Sequence, residues 1–224
     1  MFMPPHTAAV QDYVKALYLL ESEGEPEAVP TNALATRLGV TAASATNMLK
    51  KLGSLGLVDH VPYAGASLTQ SGTKVALEMI RHHRLLETYL AEALGVPWDE
   101  VHKEAEVLEH VLSEELEERI SARLGHPKAD PHGHPIPAKD GSLPVGSRSR
   151  LWDAPDGGEV EVERVSDQKS EVLRYLEQVG IKPGATVEVV ERGPLEGPLY
   201  VRVRNRSDEV HALSKELSEA VWVL

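Results

Sequence analysis

The chain has 224 residues and an apolar content of 42%, enough to bury a core and hold more than one domain, which excludes wholesale disorder. It contains no cysteine, which removes disulfides, zinc ribbons and thiolate catalysis together. Its net charge of −12 argues against non-specific polyanion binding by the chain as a whole, so any nucleic-acid contact must come from a local patch.

The N-terminal stretch MFMPPHTAAV lacks the basic and apolar regions of a signal peptide, and no apolar run reaches membrane-spanning length. A soluble, cytoplasmic protein is expected. Residues 9–23 carry Val10, Val14, Leu17, Tyr18 and Leu20 at helical spacing. After the breaker GEPEAVP, Thr31 reads as the N-cap of a short helix with Leu34, Ala35 and Leu38 on its apolar face. Gly39 then turns the chain, and Thr41 caps a second helix with Ala45, Met48, Leu49 and Leu52 in a stripe. Two short helices joined by a tight glycine-bearing turn form a helix-turn-helix pattern. Residues 57–69 read as a two-stranded wing around Tyr63, Ala64 and Gly65.

Ser71 is expected to cap a helix over about 72–94, ended by Gly95-Val96-Pro97, and a further helix is expected from about Asp99 to Leu124. Residues 125–150 then hold five prolines among glycines and charges, the composition of a linker or tethered loop. From about Gly158 the pattern alternates: EVEVERV, ATVEVVERG and LYVRVRN predict strands, EAVWVL closes the chain, and Ser170–Val179 predicts a short helix. The whole is expected to be α+β, ending in a small SH3-like barrel. The expected organisation is a winged helix-turn-helix at 1–74, a helical domain at 75–140, a linker at 141–156 and the barrel at 157–224.

Charge is divided unevenly. Between Thr31 and Lys74 the basic residues Arg37, Lys50, Lys51 and Lys74 face the single acid Asp59, whereas Val75–Gly125 is strongly acidic. In a winged helix-turn-helix the second helix enters the major groove, and its N-terminal residues reach bases and phosphates. Here those are Thr41, Ala43, Ser44, Thr46 and Asn47, small or polar side chains suited to close approach and hydrogen bonding. Arg37, Lys50 and Lys51 would hold the phosphate backbone. The bland alternative is that Thr41 only caps a helix and Lys50-Lys51 is a solvated face.

The acidic region carries metal-type side chains in two groups: His83 with Glu87, and His102, Glu106, Glu109 and His110. At about 100° per residue the second group spans roughly 100° of one helix face. Imidazole and carboxylate without sulfur suit a divalent first-row metal. His82 points away from His83 and is expected to be exposed. Glu114, Glu115, Glu117 and Glu118 read as a solvated face, and His126, His132 and His134 as linker residues without a ligand role.

These blocks together resemble the DtxR/MntR family of metal-dependent repressors. The likeness runs from DYVKALYLLE through the helix-turn-helix to RHHRLLETYLAEALG, VHKEAEVLEHVLSEELEERI, HPIP and the C-terminal barrel, which is FeoA-like in that family. The resemblance implies a primary metal site of Asp12, Glu106, Glu109 and His110 and an ancillary site of His83, Glu87 and His102. Gln168, with Glu171 nearby, stands where barrel ligands occur in many members. Lys15 occupies a position where some manganese-type members carry a further Glu, so a paired-metal primary core is not expected. Carboxylates at positions 12 and 106, where iron-type members often carry sulfur, favour Mn(II); Fe(II) also accepts these donors. The implied function is a dimeric repressor of metal-uptake genes that binds palindromic operators in double-stranded DNA when loaded with metal. The rival readings are a metalloenzyme, opposed by the absence of HExxH and of paired ExxH motifs, and a winged-helix regulator that answers to a small molecule.

Overall fold

The computed structural model describes residues 6–24, 28–61, 64–166, 169–204, 206 and 208–224. It divides into two compact units: Met1–His82 with Glu109–Leu112 and Pro137–Ser142, and His83–Leu108 with Ser113–Ile136 and Leu143–Leu224.

The first unit contains α1 (Ala8–Ser22), α2 (Thr31–Arg37), α3 (Ala42–Ser54) and an antiparallel wing, β1 (Val58–Val61) with β2 (Gly65–Leu68). Val10, Val14 and Leu17 of α1 pack in one cluster with Leu34 of α2 and Ala45, Leu49 and Leu52 of α3. The turn between α2 and α3 depends on Gly39, whose φ of +62° an L side chain rarely adopts. Thr41 is the N-cap of α3, its hydroxyl oxygen accepting from the Ser44 amide at 3.1 Å. Two expected caps fall elsewhere. Thr31 is the first residue of α2, and Pro30 before it holds the N-cap position with no side-chain bond to the helix. Ser71 lies inside the next helix, α4 (Gln70–Leu94), and Thr69 accepts from the Gly72 amide instead. Tyr63, the expected wing tip, is outside the described residues.

The first half of α4 belongs to this unit and the second half to the other. The expected long helix over 99–124 is broken into α5 (Val101–Leu108) and α6 (Glu114–Arg123). The physical reason is Ser113, which caps α6 by accepting from the Leu116 amide. Glu109 and His110 therefore leave the helix that carries His102 and Glu106.

In the second unit, β3 (Glu159–Val165), α7 (Ser170–Val179), β4 (Thr186–Arg192), β5 (Leu199–Val203), β6 (Val210–Leu213), α8 (Lys215–Glu219) and β7 (Val221–Val223) follow one 3-10 turn at Leu151–Asp153. The sheet is antiparallel throughout, in the order β6-β5-β4-β3-β7. Alternation in β3 is interrupted by a register shift between Val162 and Arg164, which turns both Val162 and Val165 inward although they are three residues apart. Leu173, Leu176 and Val179 of α7 complete the core.

Residues 125–150 are not a loose linker. The Lys128 carbonyl accepts from the Ile136 amide, and the Asp130 carboxylate accepts from the amides of His132 and His134 at 2.8 and 3.0 Å, closing a compact loop.

Candidate metal centres and reading helix

On α3, Ala45, Leu49 and Leu52 face the core, so Ala43, Ser44, Asn47, Lys50 and Lys51 are left exposed on the other side, with Thr41 at its start. Thr46 is half-buried and donates its hydroxyl to the Ala42 carbonyl, which leaves its oxygen able to accept but not to donate. Arg37 is engaged by Glu23, whose two oxygens lie 3.0 and 3.1 Å from one guanidinium nitrogen.

Within the first unit, α1 and the segment after α5 bring Asp12, Glu109 and His110 together. Nε2 of His110 lies 3.0 Å from Oδ1 of Asp12 and 3.9 Å from Oε1 of Glu109. Nδ1 of His110 donates to Oε1 of Gln11 at 2.9 Å, because that oxygen can only accept. With Nδ1 committed to Gln11, Nε2 is the nitrogen left to face the carboxylates, which is how a metal-binding imidazole is usually oriented. Glu109 is buried, and its two oxygens accept from the Lys15 ammonium at 2.9 and 2.8 Å. His82, expected to be exposed, is buried, and its Nδ1 donates to the Glu109 carbonyl at 3.3 Å.

In the second unit, Oε1 of Glu87, Nε2 of His83 and Nδ1 of His102 form a triangle with sides of 2.9, 3.0 and 3.1 Å. Ligands held at about 2.1 Å and at right angles stand roughly 3.0 Å apart, so these atoms fit one face of an octahedral divalent ion. Glu87 is completely buried. Burial would raise its pKa. Charge on His83 and hydrogen bonds from His102, His132 and His83 outweigh that and hold the carboxyl well below its usual range. Glu106 addresses the other nitrogens of the same pair, 3.7 Å from Nδ1 of His83 and 3.9 Å from Nε2 of His102.

A further cluster is Asp130, His132 and His134, whose two histidines are expected from sequence to be linker residues without a ligand role. His132 is fully buried and stacked on Trp98 at 5.4 Å. Its Nε2 donates to the Trp98 carbonyl at 2.8 Å, and its Nδ1 lies 3.6 Å from Oε2 of Glu87. Nδ1 of His134 lies 3.4 Å from Oδ2 of Asp130. The loop is held in place from two sides. The Arg84 guanidinium donates to the Pro135 carbonyl, and the His132 carbonyl accepts from the Val165 amide of β3 at 2.9 Å. Gly133 makes that approach possible: its φ is +89°, and a Cβ there would stand 2.2 Å from the Glu163 carbonyl oxygen. The sequence signal that identifies this loop is Asp130 followed at +2 and +4 by histidines, with glycine between them.

Of the remaining expected ligands, Gln168 lies outside the described residues. Glu171 is exposed in the first turn of α7 and belongs to none of the His and carboxylate clusters among the described residues. Glu117 departs from the expected solvated acidic face and is buried, whereas Glu114, Glu115 and Glu118 are exposed.

Three family models match in succession. They are the iron dependent repressor N-terminal DNA binding domain over residues 6–66, the iron dependent repressor metal binding and dimerisation domain over 69–138, and the FeoA domain over 150–224. The iron-dependent repressor IdeR of Mycobacterium leprae (strain TN) is 33% identical over 191 residues, covering 79% of this chain and 81% of the relative. The chain belongs to the DtxR/MntR family of repressors. A manganese-dependent transcriptional repressor solved in complex with manganese is 41% identical, with a TM-score of 0.89 over 96% of this chain and 99% of that one. The repressor ScaR solved with bound Zn2+ is 32% identical, with a TM-score of 0.80 over 96% and 98%. The repressor is thus a metal-dependent, DNA-binding transcriptional regulator and not an enzyme, and its five-stranded unit is the SH3-like FeoA domain. No helix among the described residues is long and apolar enough to cross a membrane.

Proposed function

We propose that the repressor is a manganese-responsive one that binds palindromic operators as a dimer, with Asp12, Glu109 and His110 as regulatory ligands. The observation that carries this is the 3.0 Å approach of Asp12, on the first helix of the reading head, to His110 on the segment after α5. A bound dication supplies the charge that lets two carboxylates and an imidazole share one site. Asp12 then ties α1 to the Glu109–Leu112 segment, and α1 shares its core with α3, so the orientation of Ala43, Ser44 and Asn47 follows the state of the site. Differential affinity of metal for the DNA-competent orientation drives the switch. Nitrogen and oxygen donors without sulfur favour Mn(II), and Fe(II) is the second reading because iron-dependent relatives share the architecture.

His83, Glu87 and His102, flanked by Glu106, are proposed to hold a second ion, and Asp130 and His132 extend that centre through Glu87. Leu94, Val107 and Leu108 are exposed large apolar side chains on α4 and α5, and we assign them to the dimer seam. The test is fluorescence anisotropy on a palindromic operator under anaerobic conditions, in chelator, Mn2+, Fe2+ or Zn2+, for the wild type and His110→Ala. Tight binding with Mn2+ that is lost in the variant supports the reading. Binding that ignores both metal and variant refutes it.

A further inference from the structure

The regulatory cluster contains a cation of its own. Lys15 follows Asp12 by nearly one turn of α1, and its side chain is only 11% exposed. Buried lysines are rare without a partner, and this one spans both oxygens of Glu109, a side chain with no exposure. The oxygen that faces Nε2 of His110, Oε1 of Glu109, is also the one that Lys15 holds at 2.9 Å. A dication drawn to Asp12, His110 and Glu109 therefore meets an ammonium already engaged with one of its ligands.

We propose that Lys15 is an internal competitor for Glu109 and sets the concentration of divalent metal at which the repressor responds. This rests on the reading of Asp12, Glu109 and His110 as the regulatory site. Two consequences of opposite sign follow from the charges. Without metal, Lys15 neutralises a carboxylate that would otherwise be buried uncompensated, so it stabilises the metal-free fold. With metal, the ammonium repels the dication and withholds lone pairs from it, so it weakens binding. A lysine with only a structural role would produce the first effect and not the second.

The test is Mn2+ binding to the full-length repressor, followed by electron paramagnetic resonance of the free ion, with thermal melting in chelator alongside. His110→Ala first identifies which binding step belongs to this cluster. Lys15→Gln is then expected to tighten that step by about tenfold or more while lowering the melting temperature in chelator. Lys15→Arg, which keeps the charge, is expected to retain the wild-type threshold. Unchanged or weaker Mn2+ binding by folded Lys15→Gln overturns the proposal. If His110→Ala leaves every step intact, the cluster is not a metal site and the role of Lys15 falls with it. Should Lys15→Gln not fold, the wild type answers instead, through 15N-lysine resonances. A slowly exchanging Lys15 ammonium in chelator must shift or lose protection when Zn2+ is added as a diamagnetic probe, and an unperturbed resonance at saturation overturns the proposal.

Discussion

Nδ1 of His132 and Oε2 of Glu87 face each other across 3.6 Å, both in side chains with no solvent exposure. Nε2 of His132 is committed to the Trp98 carbonyl, so Nδ1 is the nitrogen left to face the carboxylate oxygen. Two such atoms stay together in a dry site only if a positive charge lies between them, as a proton or as a metal ion.

Trp98 should report that ion. Its ring stacks 5.4 Å from His132, so paramagnetic Mn2+ held by Glu87 and His132 is expected to quench its emission. The measurement needs Trp152 and Trp222 replaced by Phe, leaving Trp98 as the sole emitter. Quenching that saturates with Mn2+ and disappears in His132→Ala is the expected outcome; quenching indifferent to His132 places the ion elsewhere.

Gly133→Ala should detach the loop from the barrel. The added Cβ would meet the Glu163 carbonyl at 2.2 Å, and φ is already +89°. A loss of about 2 kcal/mol or more is expected in chemical denaturation, together with weaker metal binding by the Glu87 centre. Wild-type stability would mean that the backbone relaxes at no cost.

Glu23→Gln should strengthen DNA binding. Glu23 engages Arg37 in an exposed ion pair, which makes little difference to stability but competes with phosphate. Releasing one arginine is expected to steepen the dependence of log affinity on log salt by about 0.9. An unchanged slope would show that Arg37 does not reach the backbone of the duplex.

Thr41→Ala removes the hydroxyl that accepts from Ser44, and about 1 kcal/mol of stability is expected to go with it. If Thr41 also contacts DNA, affinity at saturating Mn2+ falls further than it does in Thr41→Ser, which keeps the cap. Equal affinity in the two variants assigns Thr41 to capping alone.

Elements with a strong local signal were legible in the sequence. The stripe of α3, its Thr41 cap, both wing strands and α7 at Ser170–Val179 all follow from spacing and end signals. Elements decided by tertiary contacts were not. β6 exposes Val210 and buries only Leu213, too little pattern to read, and α8 has five residues. The break between α5 and α6 was hidden because His102, Glu106, Glu109 and His110 keep helical spacing straight through it. His83, Glu87 and His102 do converge, a set that the family resemblance and not their spacing had grouped. The burial of His132 could not be read from a proline-rich stretch, because it comes from Trp98 and from the edge of β3, both distant in sequence.

The bond from the Val165 amide to the His132 carbonyl has a consequence for biogenesis. Val165 pairs with Val221 of β7, the final strand, so the geometry that fixes His132 is complete only after the last strand has been made. A chain still on the ribosome can fold its reading head, whose core is drawn from N-terminal residues, while the loop beside Glu87 stays unformed. The loop that carries His132 is therefore among the last parts of each molecule to be set, after the helices that carry Glu87 and His102 have been made.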